Sequence, residues 1–304
     1  MARKPDFIDY CKTAEFHKPL IGMEVFMLRS RLLETDGFNQ LAKTRNGYCL
    51  YNQNDIYIGQ AIEKYGEFSA IEMQLLAQLC QPGDTVIEIG ANIGAHTIEI
   101  ARRVGPDGWV LAFEPQRIVF QALCANVAIN SLFNVDCYWA AVGRQRGFIN
   151  VPELDPDLKN NFGGLSLLEG IPGRPVECFP LDQFVVLPQL RLIKIDVEGM
   201  ESEVIAVVTK LIEKFKPFLY VENDRPEKSE NLIRLIDSLG YRMSWHLPPL
   251  FNPDNYYANP ENVYPKFVSF NMICVHRDLP IEIKGFSEIK DFSFHPSTLR
   301  QPAQ

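Results

Sequence analysis

The sequence of 304 residues lacks several features, and each absence argues against a class of protein. No apolar run approaches the roughly 20 residues of a membrane-spanning helix. The N-terminal MARKPDFIDY has no apolar segment of the kind that secretory signals carry. Basic residues number only 30 against 38 acidic ones, and a net charge of -8 lowers the expectation of nucleic-acid binding. We therefore expect a globular, cytoplasmic protein without a nucleic-acid or membrane partner.

The seven cysteines lack the spacing of a disulfide framework or a zinc site. They are odd in number, scattered from Cys11 to Cys274, and contain no C-x-x-C pair. This distribution favours reduced thiols in the core of a cytosolic protein.

The dinucleotide fingerprint G-x-G-x-x-G is also missing where a nucleotide-binding fold would carry it. Thr85–Ile89 (TVIEI) predicts a buried strand, and a helix is predicted over 96–104. Between them the pattern is Glu88-x-Gly90-x-x-x-Gly94. An acid at the strand end would repel a pyrophosphate but suits a cofactor with positive charge. S-adenosylmethionine (SAM), with a sulfonium, an ammonium and no phosphate, is such a cofactor.

A second predicted strand, Trp109–Phe113, ends at another acid, Glu114, which lies 20 residues beyond Gly94. An acid at this distance binds ribose hydroxyls in related sheets, and a carboxylate can accept from two neighbouring hydroxyls. The alternative is a solvated acid at a strand end. A third predicted strand, over 135–139, leads to Ala141, where a small side chain would let an adenine lie against the backbone or would simply pack.

Strands and helices alternate along the rest of the chain, as expected for a parallel α/β sheet. We expect helices at 68–80, 118–129, 200–215 and 231–239, strands at 192–195, 218–221, 241–245 and 268–275, and hairpins around Asn52–Asn54 and between 148–151 and 176–179. A polar loop over 160–166 has the composition of a lid. No structure is expected after Leu279.

Polar side chains, most of them ionisable, lie at the ends of several of these strands. They are Glu88, Glu114, Asp196, Glu198, Glu222, Asn223 and His246. Ligands of open α/β sheets bind outside the carboxyl ends of the strands. Because clustered carboxylates repel one another, this edge needs a cation, either a sulfonium cofactor or a divalent metal.

Three segments, GDTVIEIGANIGAHT, AFEP and LIKIDVEGMESEVI, resemble the FkbM family of SAM-dependent methyltransferases, over about Tyr65 to Cys274. The resemblance implies a class I Rossmann-like methyltransferase fold with a mostly parallel seven-stranded sheet flanked by helices. Its last antiparallel strand would be inserted in the sheet. We expect an N-terminal extension of helix and hairpin with a lid segment over 1–80, a methyltransferase domain over 81–278 and a C-terminal tail over 279–304.

The resemblance also implies methyl transfer to oxygen, often a hydroxyl of a sugar, polyketide or other secondary metabolite. The methionine end of the cofactor would contact Glu88, Gly90, Ala91, Asn92, Gly94 and Thr97. Glu114 would bind the ribose. Glu67, just before the helix over 68–80, is either a contact to the cofactor or an acid that complements the helix dipole.

An alcohol is a poor nucleophile, so a base or a metal must take its proton. The candidates are Asp196, Glu198, Glu222 and His246. Asp196 should lie nearest the methyl group, whereas His246 could equally be structural and Glu198 could serve a helix start. A divalent metal on Asp196 and the Glu222–Asn223 pair, as in catechol-type methyltransferases, is an alternative that the family does not require.

The acceptor is expected to be a small molecule or a glycan. The loop over 247–267 carries Phe251, Tyr256, Tyr257 and Tyr264, which could stack on a sugar face or pack within the loop. Two rival functions are an NAD(P)-linked oxidoreductase and a binding module without catalysis. The missing dinucleotide fingerprint argues against the oxidoreductase, and the intact acidic edge argues against the binding module.

Overall fold

The computed structural model describes residues 36–165 and 172–300. The predictions that involve the N-terminal segment before residue 36, Cys11 and Ser166 lie outside the described residues. Within the described ranges the strands are β1 Asn39–Thr44, β2 Gly47–Asn52, β3 Thr85–Ile89, β4 Trp109–Phe113, β5 Val135–Tyr138, β6 Ala141–Val142, β7 Gly147–Val151, β8 Arg174–Phe179, β9 Leu192–Ile195, β10 Phe218–Glu222, β11 Tyr241–His246 and β12 Asn271–His276. The helices are α1 Ile58–Tyr65, α2 Ala70–Leu79, α3 Ala95–Val104, α4 Arg117–Ile129, α5 Leu181–Phe184, α6 Glu201–Val207, α7 Thr209–Phe215 and α8 Pro226–Ser238, followed by a 3-10 helix, Pro296–Arg300.

Seven strands form the central sheet, in the order β11-β12-β10-β9-β3-β4-β5. The five strands from β10 to β5 in this order are parallel, and each pairs with its neighbours. β12 runs antiparallel between β10 and β11. The predicted fold class is therefore confirmed, including the inserted last strand. Because β10, β9, β3 and β4 end at the same edge, the acids that follow them come together there.

Helices cover both faces of the sheet. Strand residues alternate between the faces, so Ile87 packs on the side of α6, α7 and α8, whereas Val86 packs on the side of α2, α3 and α4. The two apolar clusters on these faces contain most of the buried core. None of the described helices is long and apolar enough to cross a membrane.

The N-terminal hairpin is displaced from its predicted position. β1 and β2 pair around a turn at Arg45–Asn46, and Tyr48–Asn52 lies within the second strand instead of starting a hairpin. The predicted turn at Asn52–Asn54 instead leads into α1. The carboxylate of Asp55, the next residue, accepts from the backbone N–H groups of Tyr57 and Ile58 at the start of the helix.

Two other regions also differ from the prediction. The helix expected over 200–215 is broken at Val208, because the Asp182 carboxylate accepts from the N–H groups of Lys210 and Leu211 and so caps the start of α7. The described part of the tail is ordered against the core, where Ile281 and Phe286 pack.

The predicted hairpin between 148–151 and 176–179 is confirmed. It consists of β7 and β8, and β6 pairs with β8 as a third strand.

All six cysteines in the described ranges are free thiols. Four of them, Cys49, Cys80, Cys178 and Cys274, are buried, as expected for core thiols.

Candidate functional site

A cavity of about 930 Å³, part of it open to solvent, lies at the edge where the parallel strands end. Of the predicted site residues, Glu88, Gly90, Ala91, Asn92, Glu114, Asp196, Glu198 and Glu222 line it. The remaining walls come from Tyr57, Ile58, Phe68, Glu72, Ala95, His96, Asn161, Gly163, Gly164, Lys194, Leu250, Ser269 and Asn271. The structure thus gathers most of the predicted acids into one site.

Gly90 allows the ends of β3 and β9 to approach closely. Its φ is +85°, and a Cβ there would lie 1.8 Å from the backbone oxygen of Asp196. Any other residue would force the two strand ends apart. The glycine of the sequence motif therefore places Asp196 beside the turn that follows β3.

Two carboxyl groups at the ends of β3 and β4 are held by short local contacts. Glu88 accepts from the Thr97 hydroxyl at 2.6 Å, and Glu114 accepts from the backbone N–H groups of Asn92 at 3.0 Å and Gln116 at 2.8 Å. Burial raises the pKa of both glutamates to about 7. They are therefore poised to ionise when a positive charge enters the cavity.

A buried lysine on β9 faces the same side of the sheet. Lys194 is the strand partner of Glu88 on one side and of Tyr220 on the other, so its side chain lies between theirs. Its Nζ donates to the Asp196 carboxylate at 2.9 Å. The Lys194 side chain is only 2% exposed whereas that of Asp196 is 36% exposed, so the carboxylate opens to the cavity and the ammonium is sealed beneath it.

The charges of this pair support each other. Burial alone would raise the pKa of Asp196, but the Lys194 ammonium and its hydrogen bond outweigh burial and bring that pKa below its ordinary value. Burial opposes the charge on Lys194, yet the charges of Asp196, Glu88 and Glu72 raise its pKa overall. Asp196 is therefore ionised at neutral pH.

The pKa values of Glu198 and Glu222, the other two predicted acids of this group, are raised instead of lowered. Burial, with the charges of Asp196 and Asp224, raises the pKa of Glu198 to about 8, and burial next to Asp196 raises that of Glu222 well above its ordinary value. Among the described residues, Asp196 alone in this group of predicted bases combines a lowered pKa with a place in the cavity wall.

Asp196, Glu198 and Glu222 offer oxygens within 4.8 Å of one another, which a metal ion could use. Two cations of the chain already neutralise this group, because Lys194 binds Asp196 and Arg225 donates to Glu198 at 2.8 Å. The predicted ligand Asn223 is turned away, with its amide donating to Ser229 and Met272. The predicted set of Asp196, Glu222 and Asn223 therefore does not fit a metal.

Residues 57–68, which precede α2, and two loops cover part of the cavity. The loop over 160–164 contributes Asn161, Gly163 and Gly164 to the wall, and Asn160 is bonded to the backbone of Asn54 and Ile56. Ser166, at the end of the predicted lid, lies outside the described residues.

Glu67 anchors the second loop and does not line the cavity. Its carboxylate accepts from Arg45 at 2.6 Å, from the Asn252 side chain at 2.8 Å and from the backbone N–H of Tyr256 at 3.0 Å. It also precedes α2, which begins at Ala70 with Glu72 in its first turn. The structure therefore gives Glu67 the role of joining the 247–267 loop to the N-terminal segment.

Four other predicted residues lie away from the cavity wall. Thr97 and Gly94 contribute to the turn after β3 without lining the cavity. The Thr97 hydroxyl donates to Glu88, and Gly94 precedes the first residue of α3. Ala141 is buried in β6, opposite Cys178 of β8. His246 bonds the Tyr220 hydroxyl through Nδ1 at 2.8 Å, and burial lowers its pKa, which matches the structural alternative for this histidine.

The aromatic side chains of the 247–267 loop pack among themselves and against the N-terminal segment. Phe251 and Tyr264 meet the Tyr65 ring edge to face, and Tyr256 and Tyr257 contact each other. None of these four loop aromatics lines the cavity.

Sequence reasoning missed Lys194, His96 and Asn271. Lys194 could have been found, because a lysine within the apolar strand LIKI must be buried and therefore needs carboxylate partners. His96 and Asn271 carry no such signal, since a polar residue at the first turn of a helix or the start of a strand is common.

The model of the methyltransferase FkbM domain matches residues 88–243, which is just over half of the chain. The chain belongs to the FkbM methyltransferase family. A search of curated proteins found no match. Membership in the FkbM family confirms the predicted family and the predicted activity, that of a methyltransferase.

Solved structures similar to this FkbM-family chain include several methyltransferases. The methyltransferase FkbM of Methylobacillus flagellatus KT is 14% identical, with a TM-score of 0.44, over 72% of this chain and 55% of that protein. The precorrin-6y C5,15-methyltransferase of Geobacter metallireducens GS-15 is 15% identical, with a TM-score of 0.44, over 68% and 86%. The O-methyltransferase TomG of Streptomyces achromogenes, solved with SAM, is 12% identical, with a TM-score of 0.42, over 68% and 78%.

Proposed function

We propose that this protein transfers a methyl group from SAM to a hydroxyl oxygen of a small molecule or glycan, such as a sugar, a glycoconjugate or another secondary metabolite. The observation that carries the proposal is the Asp196 carboxylate, which is paired with the Lys194 ammonium at 2.9 Å and opens into a cavity beside the turn after β3. A carboxylate in this position supports a proton acceptor next to a pocket suited to a cationic methyl donor. Membership in the family supports methyl transfer. The acidic cavity supports SAM as the methyl donor and an oxygen as the acceptor atom.

The donor half of the cavity, defined by Glu88, Gly90, Asn92 and Glu114, would hold SAM. The glutamates, with pKa values of about 7, can ionise to match the positive charges of the donor, and Glu114 lies where a ribose would be bound. The N-terminus of α3, a helix of 10 residues, begins directly after this turn and favours a carboxylate. When bound, SAM supplies a methyl group on a sulfonium.

Asp196 would receive the proton of the acceptor hydroxyl as the new carbon–oxygen bond forms and the carbon–sulfur bond breaks. Lys194 holds the carboxylate ionised and oriented, since its Nζ is bonded to one carboxylate oxygen and sealed from water. Glu222 also hydrogen-bonds the Asp196 carboxylate, which remains 36% exposed toward the cavity. Positioning two reactants in this way is a large part of catalysis by methyltransferases, since the displacement must be in line.

The remaining parts of the proposal concern the surroundings. The cavity volume and the net charge of -8 support a small or glycan acceptor over a nucleic acid. The free thiols among the described cysteines are consistent with a cytoplasmic location, which we also propose. The reaction is proposed to need no metal, because Lys194 and Arg225 already neutralise the acidic group.

Calorimetry with SAM and with NAD tests the donor, since the proposal expects SAM to bind and NAD not to bind. Tight NAD binding without SAM binding would instead support an oxidoreductase. Formation of S-adenosylhomocysteine from SAM with a panel of hydroxyl acceptors tests catalysis and separates an enzyme from a binding module. Repeating the assay with a chelator should leave the rate unchanged, and a lost rate restored by magnesium would contradict the metal-free proposal.

A further inference from the structure

The cavity is longer than the donor half. It extends from Glu114, after β4, to Asn271 on β12, and four strand spacings separate β4 from β12. At about 4.8 Å a spacing, this is roughly 19 Å. We call the part beyond Asp196, lined by Glu222, Leu250, Ser269 and Asn271, the acceptor half.

The acceptor half contains polar atoms that have no protein partner. Asn271 is 4% exposed, and its Nδ2 has no hydrogen bond. Glu222 is its cross-strand neighbour, and Oε2 of Glu222 is also buried without a bond. Burial raises the pKa of the Tyr220 hydroxyl, and the Asn271 side chain, within hydrogen-bonding reach of it, opposes that rise; the same hydroxyl bonds His246 Nδ1 at 2.8 Å. Buried polar atoms of this kind are costly unless a ligand satisfies them.

His96 adds a third such atom from the start of α3. It is 6% exposed, its Nε2 has no hydrogen bond, and it lines the same cavity. Burial lowers its pKa to about 3, so the ring is neutral. The Glu72 carboxylate lies 3.8 Å from its Nδ1.

The chemistry of these atoms selects among ligands. The Asn271 amide nitrogen only donates and would oppose an ammonium, which also only donates. An anion would lie beside the ionised Asp196, and Lys194, the one lysine or arginine among the lining residues, is already paired with it. A hydroxyl both donates and accepts, and it therefore matches an amide donor next to a carboxyl oxygen.

We infer that the acceptor half binds a second hydroxyl of the acceptor, held by Asn271 and Glu222 in the cavity that His96 also lines, while the hydroxyl to be methylated faces Asp196. This inference rests on the proposed function. It makes Asn271 and His96 specificity-determining residues, and it predicts that acceptors with neighbouring hydroxyls bind better than acceptors with one.

The test uses the full chain saturated with S-adenosylhomocysteine. Saturation-transfer NMR measures the binding of the vicinal diol of cyclohexane and of a panel of methyl hexopyranosides, with cyclohexanol as the compound that has one hydroxyl. We expect the best of these polyols to bind about tenfold more tightly than cyclohexanol, as one satisfied buried hydrogen bond allows. Equal binding of all compounds by the unaltered protein would overturn the inference.

Two variants locate the contact. Asn271→Leu and His96→Phe should each remove most of the preference for the polyol, and Asn271→Leu should leave the affinity for S-adenosylhomocysteine unchanged to within about twofold. The control is Asn150→Leu, at an exposed position on β7, which should keep the preference. If Asn271→Leu does not fold, His96→Phe still decides, and a preference retained in the variants that fold overturns the inference.

The two proposals fail in different ways. If S-adenosylhomocysteine does not bind, the proposed function fails whatever the polyols do. If it binds but the polyol preference is missing, the methyltransferase proposal stands and the second hydroxyl site is wrong.

Discussion

The two halves of the cavity differ in how complete they are without a ligand. In the donor half, Glu88 and Glu114 already accept hydrogen bonds from Thr97 and from the backbone around the turn. In the acceptor half, Asn271 and Glu222 have buried polar atoms without partners. The comparison indicates that the fold itself holds the donor half in shape, whereas the acceptor half keeps buried polar atoms that the proposed ligand would satisfy.

Asp196 lies at the boundary of the two halves, and its substitution should have the largest effect. Asp196→Asn keeps the shape but cannot take the acceptor proton, so we expect turnover to fall by at least about a hundredfold. The affinity for SAM should be largely retained. The measurements are S-adenosylhomocysteine formation with an acceptor that the unaltered enzyme methylates, and calorimetry with SAM.

The control for this substitution is Asp157→Asn. Asp157 is exposed and does not line the cavity, so this change should leave turnover unchanged. Near-normal turnover in Asp196→Asn would remove that residue from proton handling. A melting curve should accompany the assay, because Lys194 loses its closest anionic partner.

Glu114→Ala tests the donor half directly. Loss of a carboxylate from the ribose position should weaken SAM binding by about ten- to a hundredfold, which is the value of a hydrogen bond to a charged group. The fold should remain, although the N–H groups of Asn92 and Gln116 lose their acceptor. Calorimetry measures the affinity, with the exposed Glu177→Ala as control. An unchanged affinity would exclude Glu114 from ribose binding.

The pH dependence of SAM binding should come from the same half. Glu88 and Glu114 have pKa values raised by burial to about 7, and a cation binds best when they are ionised. Affinity should therefore rise from pH 6 to pH 8, by about tenfold for each group that must lose a proton. Calorimetry in buffers of different ionisation enthalpy should also detect protons released on binding. A flat profile would show that neither carboxyl responds to the donor.

The stability of the protein without SAM should change in the opposite direction. The folded state holds protons on Glu88 and Glu114 that the unfolded chain releases near its ordinary pKa of about 4.5. The stabilising contribution of these groups is full below that pH and is lost as pH rises through about 7. Melting temperatures between pH 5 and pH 8, with and without SAM, would detect it.

Glu67→Ala should have the smallest effect on function. It removes the acceptor of bonds from Arg45, Asn252 and Tyr256, so we expect a loss of about 1–3 kcal/mol in unfolding free energy and a melting point a few degrees lower. SAM affinity should not change. Glu261→Ala is the matched control, since that side chain is 61% exposed in its pair with Lys64 and should contribute little. A large loss of SAM affinity in Glu67→Ala would restore its role as a cofactor contact.

The sequence by itself determined the order of strands and helices, the turn after β3 and the strand ends at Glu114 and Asp196. These features depend on residues that are neighbours in the chain: an apolar strand, a glycine and an acid act together over about ten residues. The surface loop over 160–164 could also be predicted from its composition, because polar and glycine-rich segments rarely enter a core.

The tertiary structure decided which of the acids is ionised and what the polar residues contact. Asp196 keeps its charge because Lys194 points to the same side of the sheet, and Asn271 faces Glu222 because β12 is inserted beside β10. Glu67 meets Asn252, 185 residues away in the chain, and His246 meets Tyr220. Such partners are set by packing and strand order over long separations, and the pKa of a carboxyl depends on burial and on the charges brought next to it.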